Sequence, residues 1–143
     1  MSYQVVSESE TQALARDFCR TLITASRWPQ VVYLTGDLGA GKSVFARAVL
    51  QGLGVNEVIK SPTYTLIEHY SPRQDFQVAH LDLYRMNDPE ELYYIGFDDV
   101  VLSMDLMLIE WPEKGQGQLP KPNHDVIIEY AADARIIQII SHA

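Results

Sequence analysis

A glycine-rich stretch between residues 36 and 43, GDLGAGKS, contains the residue types that bind phosphate groups. Its spacing matches G-x-x-x-x-G-K-[ST] at every defined position. Glycines in such a loop let backbone N–H groups converge on phosphate oxygens without interference from a Cβ atom. Lys42 would then reach the β- and γ-phosphates of a nucleotide, and the Ser43 hydroxyl would bind Mg²⁺. The predicted cofactor-binding residues are Asp37, Leu38, Gly39, Ala40, Gly41, Lys42, Ser43 and Val44.

Two acidic residues are candidates for the carboxylate that such a loop needs. This carboxylate holds or orients the metal and usually lies at the end of a neighbouring buried strand. Asp82 shares a predicted strand face with His80 and Tyr84, and Glu110 ends the apolar run LMLI. Neither stretch has the usual tandem Asp-Glu, so spacing leaves the roles of the two acids open. His80 is predicted to pack within its strand, because no second histidine lies at metal-site spacing.

Other residues give signals with two interpretations. Thr63 and Thr65 lie where a loop that senses a γ-phosphate often occurs, but threonine also favours β-strands. Trp111 is either a core residue or a contact beside the nucleotide.

For the base pocket, the sequence indicates the start of the first helix, near Ser9 and Thr11, and the turn that leads to Arg135.

Strands and helices alternate around these positions. The patterns predict strands at 3–6, 31–36, 64–70, 76–84, 105–111, 125–130 and 135–140, and helices at 7–26, at 42–53 and from residue 88. Gly52 and Gly54 are expected to stop the second helix, and Tyr93 and Tyr94 to pack within the third. The strand, loop and helix around GDLGAGKS have the order that a phosphate-binding loop requires.

Composition limits the possible classes of protein. With 143 residues, of which 47% are hydrophobic, the chain is expected to form one α/β domain over residues 1–143. The formal net charge of -8 disfavours tight, direct binding of nucleic acid. The sequence has one cysteine, no run of about 18 apolar residues and no signal-peptide pattern, which indicates a cytoplasmic protein with no membrane span. Cys19 is expected to be a buried small residue.

Four segments together resemble the TsaE (YjeE) family of bacterial ATPases, which are needed for threonylcarbamoyladenosine modification of tRNA. The segments are GDLGAGKS, SPTYTLIEHY, HLDLYRMNDPEEL and LIEWPEKG, and their order and separations match as well. The resemblance runs from the first helix to residue 117, and the C-terminal strand pair matches only in type. It implies a three-layer α/β/α P-loop NTPase domain with a mostly parallel central sheet and antiparallel C-terminal strands.

The resemblance also implies the chemistry of the site. ATP and Mg²⁺ would be the cofactors, Ser43 and Glu110 would bind or orient the metal, and Asp82 would support the metal and the water. Lys42, Asp82 and Glu110 are then the predicted catalytic residues. Val44 stands where the family more often has a threonine, which removes a possible contact to the α-phosphate. The implied partners are TsaD-like and TsaB-like proteins, with which such a protein forms a complex.

Three other functions use a similar loop. A small-molecule P-loop kinase usually needs a mobile basic lid, and no arginine-rich segment follows the acids. A GTPase-like switch typically carries Asn-Lys-x-Asp, which KPNHD at 121–125 does not match. A nucleotide-sensing adaptor without turnover differs from an ATPase only in its rate of phosphate release.

Overall fold

A computed structural model of the chain describes residues 1–25, 29–57, 59, 66–115 and 117–142. Its elements are β1 (Ser2–Val5), α1 (Glu8–Ile23), β2 (Gln30–Gly36), α2 (Lys42–Leu53), β3 (Ile67–Arg73), β4 (Phe76–Asp82), α3 (Glu91–Tyr94), α4 (Phe97–Ser103), β5 (Leu106–Glu110), a 3₁₀ turn (Pro112–Gly115), β6 (His124–Ala131) and β7 (Ala134–Ser141). The predicted helix at 42–53 is confirmed. Thr63 and Thr65, the predicted γ-phosphate loop, lie outside the described residues.

The seven strands form one sheet in the order β1-β7-β6-β2-β5-β4-β3. The four central strands, β6, β2, β5 and β4, run parallel to one another. The pairings β1–β7, β6–β7 and β3–β4 are antiparallel. The prediction of a mostly parallel sheet is therefore right for the centre, and the whole sheet is mixed. The expected C-terminal hairpin around Asp133 is confirmed, because β6 and β7 pair as far as Ala131 with Ala134.

Helices cover both faces of this sheet. Leu108 of β5 lies in the hydrophobic cluster that includes Phe45 of α2, on the face covered by α1 and α2. The next residue, Ile109, lies in the second cluster with Phe97 of α4. All five residues of β5 are buried, as the apolar run LMLI predicted. The parallel strands β2, β4 and β5 end at the same edge of the sheet, so the segments that follow them meet there.

Gly52 has a different role from the one that the sequence predicted. It lies inside α2, and the helix is capped by Gly54, which has a left-handed backbone with φ of 110°. A Cβ atom on Gly52 would lie 2.7 Å from the sulfur of Cys19 on α1. Burial raises the pKa of the Cys19 thiol to about 11, and its sulfur donates to the carbonyl oxygen of Val49 at 3.2 Å. Gly52 therefore lets α1 and α2 approach each other over a buried, protonated thiol.

Gly52→Ala is expected to lower the free energy of unfolding by roughly 1 kcal/mol. The cost of overpacking is about 1–3 kcal/mol, which is larger than the gain of ~1 kcal/mol in helix propensity. Denaturant unfolding measures the change, and the same substitution made in a Cys19→Ala background should cost less, because the sulfur is gone. An equal loss in both backgrounds would show that the two residues do not clash.

The tyrosine pair of α3 does not pack into the protein as the sequence predicted. Tyr93 is 71% exposed and Tyr94 is 80% exposed, and their rings contact each other edge to face with centroids 5.7 Å apart. Helix α3 ends after one turn because Gly96 adopts a left-handed conformation with φ of 75° before α4 begins. Leu92 is the buried residue of this short helix, so its two tyrosines are left on the outer surface.

A helix that crosses a bilayer needs about 20 consecutive, predominantly apolar residues. Within the described ranges, every helix is too short or too polar to cross a membrane.

Candidate active site

The glycine-rich loop joins the end of β2 to the start of α2. Gly41 occupies the N-cap position of α2 with φ of 115°, a backbone conformation that glycine adopts without strain. Because glycine has no side chain, the first N–H groups of the helix are not capped by residue 41. Those groups and the positive end of the helix dipole favour a bound anion. The loop is therefore shaped as the sequence predicted for a phosphate site.

Lys42 begins α2 and is only 4% exposed. Its Nζ donates to the carbonyl oxygens of Gly36 and Asp37, the second at 3.0 Å, and lies 4.2 Å from the centroid of the Trp111 ring. Burial lowers the pKa of the Lys42 ammonium, while the negative charge of Glu110 acts in the opposite direction. Within the described part of the chain, the hydrogen-bond partners of this ammonium are neutral carbonyls. An incoming phosphate can therefore supply the negative charge that these partners lack.

Glu110 lies at the end of β5, directly beside the loop. Its carboxylate accepts a hydrogen bond from the Ser43 hydroxyl, with 3.1 Å between Oγ and Oε1. Glu110 is 2% exposed, so its charge is held in a largely dry environment. A hydroxyl oxygen and a carboxylate oxygen are hard donors of the kind that Mg²⁺ prefers, and Mg²⁺ needs only one or two carboxylates when a phosphate chain and waters complete its shell. The predicted metal residues Ser43 and Glu110 are therefore in contact.

His80 is also part of this group, which the sequence reasoning missed. Its Nε2 lies 2.6 Å from Oε2 of Glu110, and both residues are 2% exposed. In β4, His80 and Asp82 point to the same face of the sheet, and Asp82 lies opposite Glu110 in the parallel β4–β5 register. The alternation HLD signalled a shared face, but the contact with Glu110 depends on the pairing of two strands that are far apart in sequence.

Asp82 lies next to Glu110 at the end of β4. Its Oδ1 accepts a hydrogen bond from the backbone N–H of Tyr84 at 3.1 Å. Burial raises the pKa of the Asp82 carboxyl, and the neighbouring charge of Glu110 raises it further. A carboxylate in this state takes up a proton more readily than an ordinary aspartate.

These side chains line one cavity of about 430 Å³. The described residues that line it are Leu38, Gly39, Gly41, Lys42, Ser43, Val44, Asp82, Tyr84, Arg85, Glu110 and Trp111. The cavity thus brings the three predicted catalytic residues together with most of the predicted loop. Of the other two loop residues in the described part of the chain, Asp37 contributes its carbonyl to Lys42, and Ala40 is fully buried.

A known protein family matches most of the chain. The family model described as "Threonylcarbamoyl adenosine biosynthesis protein TsaE" matches residues 5–137. The chain belongs to the TsaE family.

Individual relatives of this TsaE-family chain support the assignment. The tRNA threonylcarbamoyladenosine biosynthesis protein TsaE of Haemophilus influenzae is 50% identical over 111 residues, which cover 78% of this chain and 70% of that protein. The Bacillus subtilis protein of the same name is 34% identical over 134 residues, covering 93% of this chain and 80% of that protein. The crystal structure of Bacillus subtilis YdiB matches with a TM-score of 0.76 and 28% identity, over 100% of this chain and 86% of that one.

Two residues of the TsaE-family site complete its rim. Trp111 lines the cavity, and the centroid of its ring lies 4.2 Å from Nζ of Lys42, so it contacts the loop and is not only a core residue. Its backbone has a positive φ of 58°, and its ring lies 5.0 Å from that of Tyr84. Arg85 lines the cavity as well, and the sequence reasoning missed it. The sequence did contain a signal for Arg85, because this residue follows closely after the strand that ends at Asp82, in the segment HLDLYR.

The residues indicated for the base pocket lie apart from the catalytic group. Thr11 and Arg135 line a second, smaller cavity on the loop, together with Glu8. Ser9, the remaining residue of that prediction, does not belong to the described lining. The sequence therefore indicated the two chain segments that meet there, the first turn of α1 and the start of β7.

Proposed function

We propose that this TsaE-family chain is a P-loop ATPase that binds and hydrolyses ATP with Mg²⁺. Its activity would support the threonylcarbamoyl-transferase complex that makes threonylcarbamoyladenosine in tRNA. One observation carries the proposal: the Lys42 ammonium, the Ser43 hydroxyl and the Glu110 carboxylate line one cavity at the start of α2. The family membership and the names of the two bacterial relatives support the tRNA-modification role.

In this proposal the loop N–H groups and Lys42 bind the phosphate chain. Lys42 exchanges its carbonyl partners for phosphate oxygens, which are stronger acceptors because they are charged. Ser43 and Glu110 would hold Mg²⁺, and His80 keeps the Glu110 carboxylate oriented toward Ser43. When bound, Mg²⁺ neutralises negative charge on the phosphate oxygens.

Asp82 is the proposed proton acceptor for the attacking water. As the oxygen of the water bonds to the γ-phosphorus, the bond between this phosphorus and the bridging oxygen of ADP breaks, and ADP leaves. The raised pKa of the Asp82 carboxyl favours uptake of the proton that the water releases. The products are ADP and phosphate.

The proposed partners are TsaD-like and TsaB-like proteins, and the proposed location is the cytoplasm. The net charge of -8 makes tRNA a poor direct ligand at physiological salt. The exposed rings of Tyr93 and Tyr94 belong to the residue type that is enriched in contacts between proteins. Both properties support a chain whose ATPase activity acts on protein partners.

Phosphate release is expected to be slow for the protein alone and faster when the TsaD-like and TsaB-like proteins are added. Addition of tRNA without these proteins should leave the rate unchanged. The assay separates this function from that of an adaptor, which releases no phosphate, and from that of a kinase, which needs a second substrate. Full activity of the isolated protein, or stimulation by tRNA alone, would contradict the proposal.

A further inference from the structure

Tyr130 of β6 makes a hydrogen bond to the glycine-rich loop from outside the loop. Its hydroxyl donates to the carbonyl oxygen of Gly39 at 2.6 Å, across 91 positions of the sequence. In the described part of the chain, Gly39 lines both the larger cavity with Glu110 and the smaller cavity on the loop, whereas Tyr130 lines neither of them. The Gly39 carbonyl therefore points to a side chain that lies outside both cavities.

The peptide unit that joins Gly39 to Ala40 is hydrogen-bonded on both sides. Its carbonyl oxygen accepts from Tyr130, and its N–H donates to the carbonyl oxygen of Asp37 at 3.0 Å. In a planar trans peptide these two groups point in opposite directions, so the two bonds together fix the plane of the unit. Gly39 has φ of 80°, and the freedom of a glycine backbone lets the next peptide unit turn unless it is held.

The orientation of this peptide unit matters for a bound anion. Gly39 adjoins the space in which a phosphate chain would lie, because it lines both cavities. If the unit turned over, the Gly39 carbonyl oxygen would leave Tyr130 and point into the loop. Its partial negative charge would then repel phosphate oxygens, in the place where backbone N–H groups attract them. The bond from Tyr130 keeps this carbonyl away from the anion.

The hairpin of β6 and β7 holds Tyr130 in place. Tyr130 lies opposite Arg135, one pair before the ladder ends at Ala131 and Ala134. The Cζ atom of Arg135 is 5.0 Å from the centroid of the Tyr130 ring, which is a cation–π contact. Because β6 pairs with β7 along its whole length, the Tyr130 hydroxyl reaches the loop from a rigid element.

We propose that Tyr130 is a positioning residue, whose hydroxyl holds the glycine-rich loop in the conformation that accepts a phosphate chain. The proposal rests on the proposed function, which makes this loop the phosphate site. In the ligand-free protein, Lys42 also holds the loop, through the carbonyl oxygens of Gly36 and Asp37. Lys42 exchanges these bonds for phosphate when a nucleotide binds, whereas Tyr130 keeps its bond. The hydroxyl thus stabilises the bound loop more than the free loop, and this difference raises affinity.

Tyr130→Phe keeps the ring and removes only the hydroxyl. It is expected to weaken the binding of ATP and of inorganic tripolyphosphate, both with Mg²⁺, by the same factor of about 3- to 10-fold, the value of one hydrogen bond. Single-turnover phosphate release at saturating ATP should stay within about 2-fold of the wild type, because the side chains of Lys42, Asp82 and Glu110 are unchanged. Calorimetry measures both affinities.

Hydrogen exchange in the ligand-free protein tests the effect on the loop itself. The backbone N–H of Ala40 should exchange faster in Tyr130→Phe, because its peptide unit is then held on one side only. Unchanged exchange in β5 would show that the variant is folded. Tyr3→Phe is the matched control: it removes a hydroxyl that donates to the sulfur of Met1, and it should change neither the affinities nor the exchange of Ala40.

Each other outcome decides against a specific claim. Unchanged affinities in Tyr130→Phe would overturn the positioning role. A loss confined to ATP would overturn it too, because Tyr130 would then act on the nucleoside and not on the loop. Weaker binding of both compounds without faster exchange of Ala40 would make Tyr130 a direct ligand contact. Wild-type protein that binds neither compound would instead contradict the proposed function.

Discussion

Lys42→Ala is expected to lower the affinity for ATP with Mg²⁺ by about 100-fold. The substitution removes a buried cation together with its charge-assisted hydrogen bonds to phosphate, and hydrogen bonds to charged groups contribute about 1.5–3 kcal/mol each. Lys42 is 4% exposed and its partners in the protein are carbonyls and the Trp111 ring, so the substitution removes the ammonium that lies within the loop itself. Calorimetric titration with ATP measures the loss.

Lys121→Ala is the matched control for this substitution. Lys121 is an exposed lysine that does not line the cavity in the described structure, so its removal should leave ATP affinity unchanged. A second variant, Lys42→Met, keeps most of the buried stem and separates the loss of charge from the loss of packing. If ATP binds Lys42→Ala as tightly as it binds the wild type, the glycine-rich loop is not the phosphate site.

Glu110→Ala and Asp82→Ala are each expected to lower the rate of phosphate release by about 100-fold or more, and to change ATP affinity much less. The loop and Lys42 still bind the phosphates in both variants, whereas the positioning of the metal and of the water is lost; acid–base catalysis alone contributes about 10²- to 10⁴-fold. Single-turnover phosphate release and calorimetry, done on the same protein, separate the two effects.

The two acids should differ in their dependence on Mg²⁺. Glu110 contacts the Ser43 hydroxyl at 3.1 Å and is buried, so its loss should raise the Mg²⁺ concentration needed for activity at least as much as the loss of Asp82. Asp98→Ala, at an exposed carboxylate on α4, should resemble the wild type in both assays. An acid whose substitution weakens ATP binding but leaves the rate at saturating ATP unchanged is not catalytic.

Patterns within short segments were sufficient to predict the elements that form the site. Helix α2 has the predicted bounds, and the five buried residues of β5 match the apolar run before Glu110. These features depend on glycine geometry, side-chain periodicity and strand propensity, which are properties of neighbouring residues. The same patterns were misleading for Gly52 and for the pair Tyr93 and Tyr94. A glycine near a helix end and a tyrosine in a helix do not show which surface approaches them.

The sequence by itself determined the glycine-rich loop, the order of the strands and of helices α1 and α2, and the two acids that could complete the site. Only the tertiary structure decided that His80 is hydrogen-bonded to Glu110, that Arg85 and Trp111 border the cavity, and that Arg135 reaches the loop from the last strand. The physical reason is that sheet order and register set these contacts. The parallel pairing of β4 with β5 places His80 and Asp82 beside Glu110, about 30 positions away along the chain. Contacts between residues so far apart in sequence arise from the packing of the whole sheet, which no local pattern encodes.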